Sequence, residues 1–581
     1  MAKIFSEIAV FLKMDSIAFR PQAYEKAAFA LETLNQDVEE IYQKKGIHGL
    51  KEIPGIGLTI AERIEEYLKT DKIKYYQELK EKMPVNLEEL LAVEGIGPKI
   101  VKELYRRLKI KNLGELEKAA KNGKIRSLAN FGEKTEKNIL QSIEFLRRSR
   151  DRGRFLLGEI LPEIEEIILK LKELKEVKRI SLAGSLRRRQ ETIGDADILV
   201  VSQKPQPVVN FFVTLPGVVK IWGQGQTKAS IRLRRGIDID LRIVPKKSYG
   251  AALQYFTGSK EHNIMTRKMA MEKGLKLNEY GLFKGPKMMA SESEEDIYRA
   301  IGLPLIEPEL REGQGEVEAA LRQAQGKLPG LPKLIEYKDI RGDLHCHSSW
   351  DGGRNTILAM AQAAQQKGYQ YIGISDHTKF LKIEHGLDEK QLLAQREEIE
   401  KLNTRYKIRN TRFRILHGCE ANILNDGSID IKDEALAKLD FVIAGVHSNL
   451  KMTKEQMTRR LIRAMRNPHV DIISHPTGRL LQRREEYQID LDAVLRVAQE
   501  TKTVLEINSS PGRLDLKDIN IRRAKSLGIK MVINTDSHMK EQMRFIELGV
   551  AQARRGWAEK SDIINCWPLA KLLSFLKNHP R

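Results

Sequence analysis

Cysteine is nearly absent from this chain. Only Cys346, Cys419 and Cys566 occur in 581 residues, too few for the disulfide frameworks that hold small secreted folds together. Long apolar runs are missing too, and no stretch reaches the ~18 residues a membrane span requires. The opening segment, MAKIFSEIAVFLKMDS, is interrupted by Glu7 and Lys13 and lacks the apolar centre of a signal peptide. These absences lead to the expectation of a reduced, cytoplasmic protein that does not enter a membrane. Negative charge is also in deficit, with 79 Asp and Glu against 100 Lys and Arg, a formal charge of +21. That surplus favours a polyanionic partner, nucleic acid first and an acidic membrane surface second, and says nothing about fold.

What is present fits a folded chain of several domains. Hydrophobic residues make up 41% and charged residues 31%, and a chain this long divides into more than one core. Residues 1 to about 150 carry helical periodicity with repeated Gly-x-Gly turns. From about 155 to 305 a helix expected over Glu163–Lys175 leads into the strand-like runs RISLAGS, ADILVV, ASIRL and DIDLRIV. Residues 308–335, rich in Pro, Gly, Gln and Glu, read as a linker carrying one short helix. From about 336 onward, strand and helix patterns alternate, as in an α/β domain with a parallel sheet or barrel.

Two N-terminal turns repeat in register. Ile53-Pro54-Gly55-Ile56-Gly57 precedes Ile60, Ile64 and Tyr67 on one helical face, and Glu94-Gly95-Ile96-Gly97-Pro98-Lys99 precedes Val101, Leu104, Tyr105 and Leu108. This is a helix–hairpin–helix pattern. Glycine permits the tight turn, and the following helix N-terminus can present free N–H groups to a phosphate. Gly55, Gly57, Gly95, Gly97 and Lys99 are therefore candidate DNA-backbone contacts, which position a duplex without reading its sequence. Two helical hairpins with glycine caps are the plainer reading, and the repeat in a basic chain weighs against it. A degenerate third copy is Asn130-Phe131-Gly132-Glu133-Lys134.

A second constellation follows the run RISLA. Gly184-Ser185-Leu186-Arg187-Arg188 is succeeded by Gly194-Asp195-Ala196-Asp197, and later by Asp238-Ile239-Asp240-Leu241-Arg242. On a strand, Asp195 and Asp197 share a face. Clustered carboxylates repel unless divalent cations lie between them, and two cations suit nucleotidyl transfer. Gly184 and Ser185 offer donors to phosphate, and Arg188 offers charge. With Tyr255-Phe256-Thr257-Gly258-Ser259 downstream, the order resembles the polymerase β-like family X. The resemblance implies metal ligands Asp195, Asp197 and Asp240, the last because the family's third carboxylate stands two residues before an arginine, here Arg242. It further implies triphosphate contacts from Gly184, Ser185, Arg188 and Gly258, sugar contacts from Tyr255 and Phe256, and base-pair contacts from Asn263 and Arg267. Asn278-Glu279-Tyr280 resembles a thumb motif. Where lyase-active relatives carry a Schiff-base lysine, this chain has Arg63, which cannot serve as an amine nucleophile. Lyase activity through that residue is expected to be weak or absent, with Lys72 and Lys74 nearby.

Six of the twelve histidines end apolar runs in the last domain. The runs are Asp343-Leu344-His345-Cys346-His347, IGISDH ending at His377, ILHGCE ending at Glu420, FVIAGVH at His447, DIISH at His475, and MVINTDSH with Asp536 and His538; VLEIN makes a seventh strand. Functional groups gathered at strand ends are how an α/β barrel builds a site. The pattern resembles the PHP (polymerase and histidinol phosphatase) domain, a distorted seven-stranded barrel holding up to three metals. The resemblance implies one metal on His345, His347, Glu420 and Asp536, with Glu420 bridging to a second on His447 and His475. A third would take His377, His538 and an acidic residue after the first motif. There the chain departs: Trp350-Asp351-Gly352-Gly353 replaces the usual W/Y-S-D-G, which leaves Asp351 one residue early. Cys346 and Cys419 read as core residues, and His385 and His417 fall off the pattern.

The combined expectation is a multidomain chain. It comprises helix–hairpin–helix regions over 1–80 and 81–150, an α+β nucleotidyltransferase palm over 151–245, a thumb over 246–310, a linker over 311–335, and a (β/α)7 PHP barrel over 336–581. The resemblance implies a DNA-directed DNA polymerase filling short gaps in repair, with PHP 3′→5′ exonuclease or abasic-site endonuclease activity. Mg²⁺ or Mn²⁺ is expected at the palm, and Zn²⁺, Mn²⁺ or Fe in the barrel. Gapped or nicked duplex DNA, primer-template and dNTPs are the expected partners of a monomer associated with the nucleoid. The competing readings are a PHP nuclease or phosphatase with a vestigial polymerase half, and a non-catalytic DNA-repair scaffold.

Overall fold

Periodic apolar side chains make the first 150 residues helical. In the helix Ala2–Met14, Phe5, Ile8 and Leu12 enter one core with Tyr24, Leu50, Ile60 and Ile64. Phe11 and Met14 of the same helix turn to a second core with Leu90, Val101, Leu104, Leu116 and Ile139. One helix thus seams the two regions that the sequence divides near residue 80. The structure, a computed structural model, describes residues 1–15, 20–32, 37–53, 55–93, 95–128, 131–150, 153–408 and 413–577. Pro54, Glu94 and Asn130 of the three expected turns lie outside the described residues. Helices Leu58–Thr70 and Pro98–Leu108 follow the first two turns, and Glu133–Arg150 follows the third.

The described residues fall into two units, Met1–Gly153 with Pro216–Gly236 and Ile264–Glu272, and the remainder. Besides its helices the first unit holds a hairpin, Val218–Gln224 antiparallel to Lys228–Leu233. Its first strand escaped the sequence reading because apolar residues stand on both faces, half-buried Val218 and Trp222 on one and exposed Val219 and Ile221 on the other, so no alternation marks it.

In the second unit the helix expected from Glu163 starts at Leu157 and runs through Pro162 to Lys172, because Leu157, Ile160, Leu161 and Ile164 form one buried face. The strand Arg179–Leu182 pairs antiparallel with Asp195–Val201, which pairs parallel with Asp238–Val244. Helix Tyr249–Thr257 follows, then the first turn of the helix Lys260–Glu272, whose remainder from Ile264 belongs to the first unit, and then a three-stranded antiparallel sheet, Lys276–Asn278, Gly281–Lys284 and Lys287–Ala290.

The segment expected as a linker does carry its short helix, Glu316–Ala324, but it is packed rather than free. Arg311 and Glu316 are fully buried. Arg311 donates to Glu294 Oε1 at 2.5 Å, and Arg187 grips the same carboxylate at 2.9 and 2.5 Å. Glu316 meets His262 Nδ1 at 2.8 Å and accepts the backbone N–H groups of Gly313 and Gln314. Composition alone suggested solvated charge; the charges instead pair in the interior.

The last domain is a ring of parallel strands. Gly342–Cys346, Tyr371–Ile374 and Arg414–His417 pair in order, and Glu420–Asn422, Ile443–Gly445, Ile472–Ile473, Val504–Asn508 and Met531–Asn534 pair in order. Parallel bridges His377–Glu420 and Cys346–Ser537 join the two sets. Because Arg414–His417 and Glu420–Asn422 are one strand kinked at Gly418-Cys419, seven strands close the barrel among the described residues. Leu344, Leu416, Phe441, Ile443, Ile472, Val504 and Val532 cluster with Ile564 and Trp567. The kink needs glycine: a Cβ on Gly418 would lie 2.4 Å from the Phe441 ring.

The buried ion cluster generates a prediction. Glu294 is buried, which opposes its charge, yet Arg311 and Arg187 hold its carboxyl down at about 2. Its unfolded value is about 4.3, so the stability it contributes is present above that pH and lost as pH falls toward 2. Arg311→Ala should lower folding stability by about 1–3 kcal/mol at neutral pH, the cost of losing a charge-assisted hydrogen bond to a buried carboxylate that Arg187 still holds. The difference in urea midpoint between wild type and variant should narrow as pH drops from 4.3 to 2.

Candidate active sites

The palm site begins with strand register. Parallel pairing sets Asp195 opposite Asp238 and Asp197 opposite Asp240, so the expected triad stands side by side at the start of two neighbouring strands. Desolvation, then repulsion from Asp240 and Asp238, raises the Asp195 carboxyl. Burial, then repulsion from Asp195 and Asp240, pushes Asp197 up to about 7. Such a group gains from any cation placed among the carboxylates.

Gly184 explains the adjoining turn. Its φ is +57°, and an added Cβ would lie 2.0 Å from Asp197 Oδ2, so only glycine lets this turn approach the carboxylate. A cleft of about 530 Å³ is lined by Gly184, Ser185, Arg188, Asp195, Asp197, Tyr255, Phe256, Gly258 and Asn263, with Arg154 and Lys260 adding positive charge. Arg188 is held there by Glu312 at 2.9 Å and by the Thr257 carbonyl at 2.5 Å. Tyr255 and Phe256 pack edge to face at 5.2 Å. Asn263 is tied to Gln254 and to the Tyr255 carbonyl, each at 2.8 Å. Arg267 lies one turn further along the helix Lys260–Glu272.

The barrel site centres on one buried carboxylate. Glu420 Oε1 faces His447 Nε2 at 3.2 Å and His475 Nε2 at 3.1 Å; Oε2 faces His377 Nδ1 at 2.9 Å and His345 Nε2 at 3.3 Å. His347 Nε2 lies 3.3 Å from Asp536 Oδ1, and His345 Nε2 lies 3.7 Å from it. Burial would raise the Glu420 carboxyl, but His345, His447 and His377 hold it well below the usual range. His345 Nε2, His347 Nε2 and His377 Nδ1 are buried and make no hydrogen bond. Buried lone-pair donors converging on two carboxylates fit divalent cations, whose charge would satisfy both. His345, His347 and Asp536 form one such group, and His377, Glu420 and His447 form another. His377, expected beside His538, is thus drawn to Glu420 as well. His347, His377 and His538 form a further group, with the His538 ring stacked on His347 at 4.1 Å.

Sequence reading missed the residues that aim these ligands. Glu506, within VLEIN, accepts from His345 Nδ1 at 2.7 Å and from the His475 N–H at 2.8 Å. Asn422 meets His447 Nδ1 at 2.8 Å. Their signal was a lone carboxylate and amide inside apolar strands. Asp351 has a related place: Oδ2 binds His347 Nδ1 at 2.7 Å and the His377 N–H at 2.9 Å, while Oδ1 accepts from the Gly353 N–H. Asp351 also groups with His347 and Asp376, their ligand atoms within 4.8 Å of one another, so the expected acidic residue stands beside the histidine cluster. Cys346 and Cys419 are buried and free, and His417 bonds Gln395 away from the cluster.

In the first unit Gly55 and Gly95 have φ of +92° and +85°, which demand glycine. Gly57 and Gly97 precede the first helical residues, and a Cβ on either would meet nothing within 4 Å. Neither internal packing nor a left-handed φ accounts for these two. Arg63 stacks over Tyr75 at 3.9 Å and lies 5.2 Å from Tyr24.

Comparison with known proteins follows the same divisions. Residues 1–73 match a helix-hairpin-helix domain, 87–144 a SAM-like helix-hairpin-helix tandem, 252–312 the DNA polymerase beta thumb, and 343–510 the PHP domain. Over 99% of both chains the sequence is 36% identical to the "DNA polymerase/3'-5' exonuclease PolX" of Bacillus subtilis (strain 168). The chain belongs to the family X DNA polymerases that carry a PHP domain. Its PHP half is also similar to a "Probable phosphatase TTE1963" of Caldanaerobacter subterraneus subsp. tengcongensis, 33% identical over 34% of this chain and 76% of that one. A "Probable phosphatase" of Thermoanaerobacter sp. (strain X514) is 29% identical over 41% of this chain and 95% of its own. Divalent metal dependence comes with both family X palm and PHP barrel.

Glu506→Gln in this family X chain keeps shape but weakens the hold on His345. Metal affinity of the barrel should fall about 10–100-fold, as it does when a carboxylate behind a histidine ligand is lost. Competition against a chromophoric chelator measures it.

Proposed function

We propose that this chain fills short gaps in duplex DNA from dNTPs and that its PHP half trims 3′ ends hydrolytically. What carries the reading is the end-to-end similarity to a polymerase/exonuclease, in a chain whose palm carboxylates stand paired across strands and whose barrel imidazoles surround Glu420. Asp195, Asp197 and Asp240 would hold Mg²⁺ or Mn²⁺, since an all-oxygen set suits hard cations; the imidazole-rich barrel suits Zn²⁺, Mn²⁺ or Fe. When bound, such cations activate the attacking oxygen and neutralise charge on the phosphoryl group. Gly184, Ser185 and Arg188 would receive the triphosphate, with Arg188 already oriented by Glu312 and Thr257. Tyr255 and Phe256 form a wall of the cleft suited to the sugar, with Gly258 behind the turn; Asn263 braces that wall, and Arg267 would contact the base pair. In the barrel, His345, His347, Glu420 and Asp536 would hold one cation, and Glu420 with His447 and His475 a second, and these cations would receive the scissile phosphate. Gly55, Gly57, Gly95, Gly97 and Lys99 would take the DNA backbone through helix N-termini. The working boundaries are those expected from sequence, with 311–335 joined to the thumb. The natural setting is DNA repair at the nucleoid.

A gapped, end-labelled duplex with Mg²⁺ or Mn²⁺ tests both halves at once. Asp197→Asn should reduce primer extension about a hundredfold or more, the usual loss when a group stabilising transition-state charge is removed, while degradation persists. His345→Ala should do the reverse. Equal synthesis by wild type and Asp197→Asn removes the palm assignment, and wild type that neither extends nor degrades leaves only a scaffold. Duplex affinity should fall by about 10³ or more between 50 and 200 mM salt if six or more phosphates are neutralised; a flat response in fluorescence anisotropy contradicts the phosphate-binding role of the turns.

A further inference from the structure

Three helices of the barrel begin around one cleft. Lys454–Met465 follows the strand that leads to His447, Leu491–Thr501 the strand that leads to His475, and Asp518–Ser526 the strand that carries Glu506. In a ring of parallel strands such helices start at the end where the ligands gather. Lys454 and Leu491 open the first two helices and Lys517 immediately precedes the third, and all three line a cleft of about 400 Å³. One wall is tied to the loop that bears His475. The Tyr487 hydroxyl donates to the Pro476 carbonyl at 2.7 Å, and the Tyr487 N–H donates to the Thr477 carbonyl at 3.0 Å. Thr477 lines the cleft as well, and two peptide units keep its Cα within roughly 7 Å of that of His475.

The lining suits an anion. Lys454, Lys517 and Arg523 bring three positive charges against one carboxylate, Glu486, which Lys517 meets at 3.1 Å. Arg523 is paired with Asp492, which does not line the cleft. Thr453 and Asp490 cap the first two helices, but the helix after Lys517 has no side-chain cap, so its N-terminal partial charge adds to that of the lysines. Asn520 stands three residues after Lys517 and three before Arg523, which places all three on one helix face. It lines the cleft, is 2% exposed, and its Nδ2 donates to no acceptor. A buried donor left unpaired is costly, and an anion in the cleft would supply the acceptor. Tyr487, Ile489 and Leu491 add an aromatic and apolar surface against which a sugar or base can pack.

We propose that this cleft is a nucleotide subsite beside the histidine cluster, where Lys454, Lys517, Asn520 and Arg523 grip a nucleotide phosphate, of the strand being trimmed or of the nucleotide released. The proposal rests on the barrel being a nuclease centre, and binding without hydrolysis separates the two. Full-length protein in EDTA should bind a trinucleotide of thymidylate, labelled at its 5′ phosphate, in equilibrium dialysis. Lys454→Gln/Lys517→Gln should weaken that binding about tenfold or more, the loss expected when charge-assisted hydrogen bonds are removed. Asn520→Leu should weaken it too yet melt no lower than wild type, because it removes an unpaired buried amide. A merely structural asparagine would lower the melting temperature and leave binding alone. Unlabelled dTMP that competes as well as unlabelled trinucleotide makes the released nucleotide the occupant, and competition by the trinucleotide alone makes it the strand. Wild-type affinity in either variant overturns the proposal, as does wild type that does not bind the trinucleotide. Wild type that binds through the cleft but leaves the trinucleotide intact with Mn²⁺ keeps the subsite and overturns the nuclease reading instead.

Discussion

A glutamate with four imidazole nitrogens within 3.3 Å of its two oxygens is the constraint around which the barrel is built. Burying that carboxylate unpaired would cost several kcal/mol, and burying the imidazoles without partners would add to it. Three rings of the cluster are held from behind. Glu506 holds His345, Asp351 holds His347, and Asn422 holds His447, so each presents its other nitrogen inward. Glu420 reaches the centre because its strand kinks at Gly418-Cys419, and the kink exists because Phe441 fills the space any side chain at 418 would need.

The palm meets the same problem with the sign reversed. Here carboxylates crowd one another, and Asp197 is pushed up to about 7 by burial and its acidic neighbours. Gly184 lets its turn approach Asp197 so closely that a side chain there would strike the carboxylate. Arg188 belongs to that turn, and its carbonyl accepts from Arg555 of the barrel domain at 3.1 Å while Glu312 bridges the two guanidinium groups. The palm turn is therefore braced by buried charge from the thumb segment and from the barrel.

The ligands were legible because chemistry confined them to places with a strong sequence signature. Asp195 and Asp197 alternate on a strand, and His345, His377, His447 and His475 each end an apolar run, so spacing alone put them at a common edge. Glu506 and Asn422 gave no such signal, since one polar residue inside a strand looks like any satisfied buried group. The segment around Arg311 misled for a related reason: proline, glycine and charge together describe a solvated linker, and only the distant Glu294 and Arg187 reveal that the charge is paired. The strand Val218–Gln224 and the thumb hairpins were hidden by half-exposed faces, which carry no apolar period. Asp351 falls one residue earlier than the resemblance implies and still reaches the cluster, because its carboxylate bonds His347 Nδ1 and groups with His347 and Asp376.

The two sites also differ in how firmly they can hold their ions. The palm offers oxygen ligands in an open cleft, where a hard divalent cation would keep much of its own hydration shell. The barrel offers nitrogen ligands, buried and oriented by a second layer of carboxylate and amide, which favours a metal that stays between turnovers. Synthesis would then draw its cation along with each nucleotide, whereas hydrolysis would rely on ions already resident.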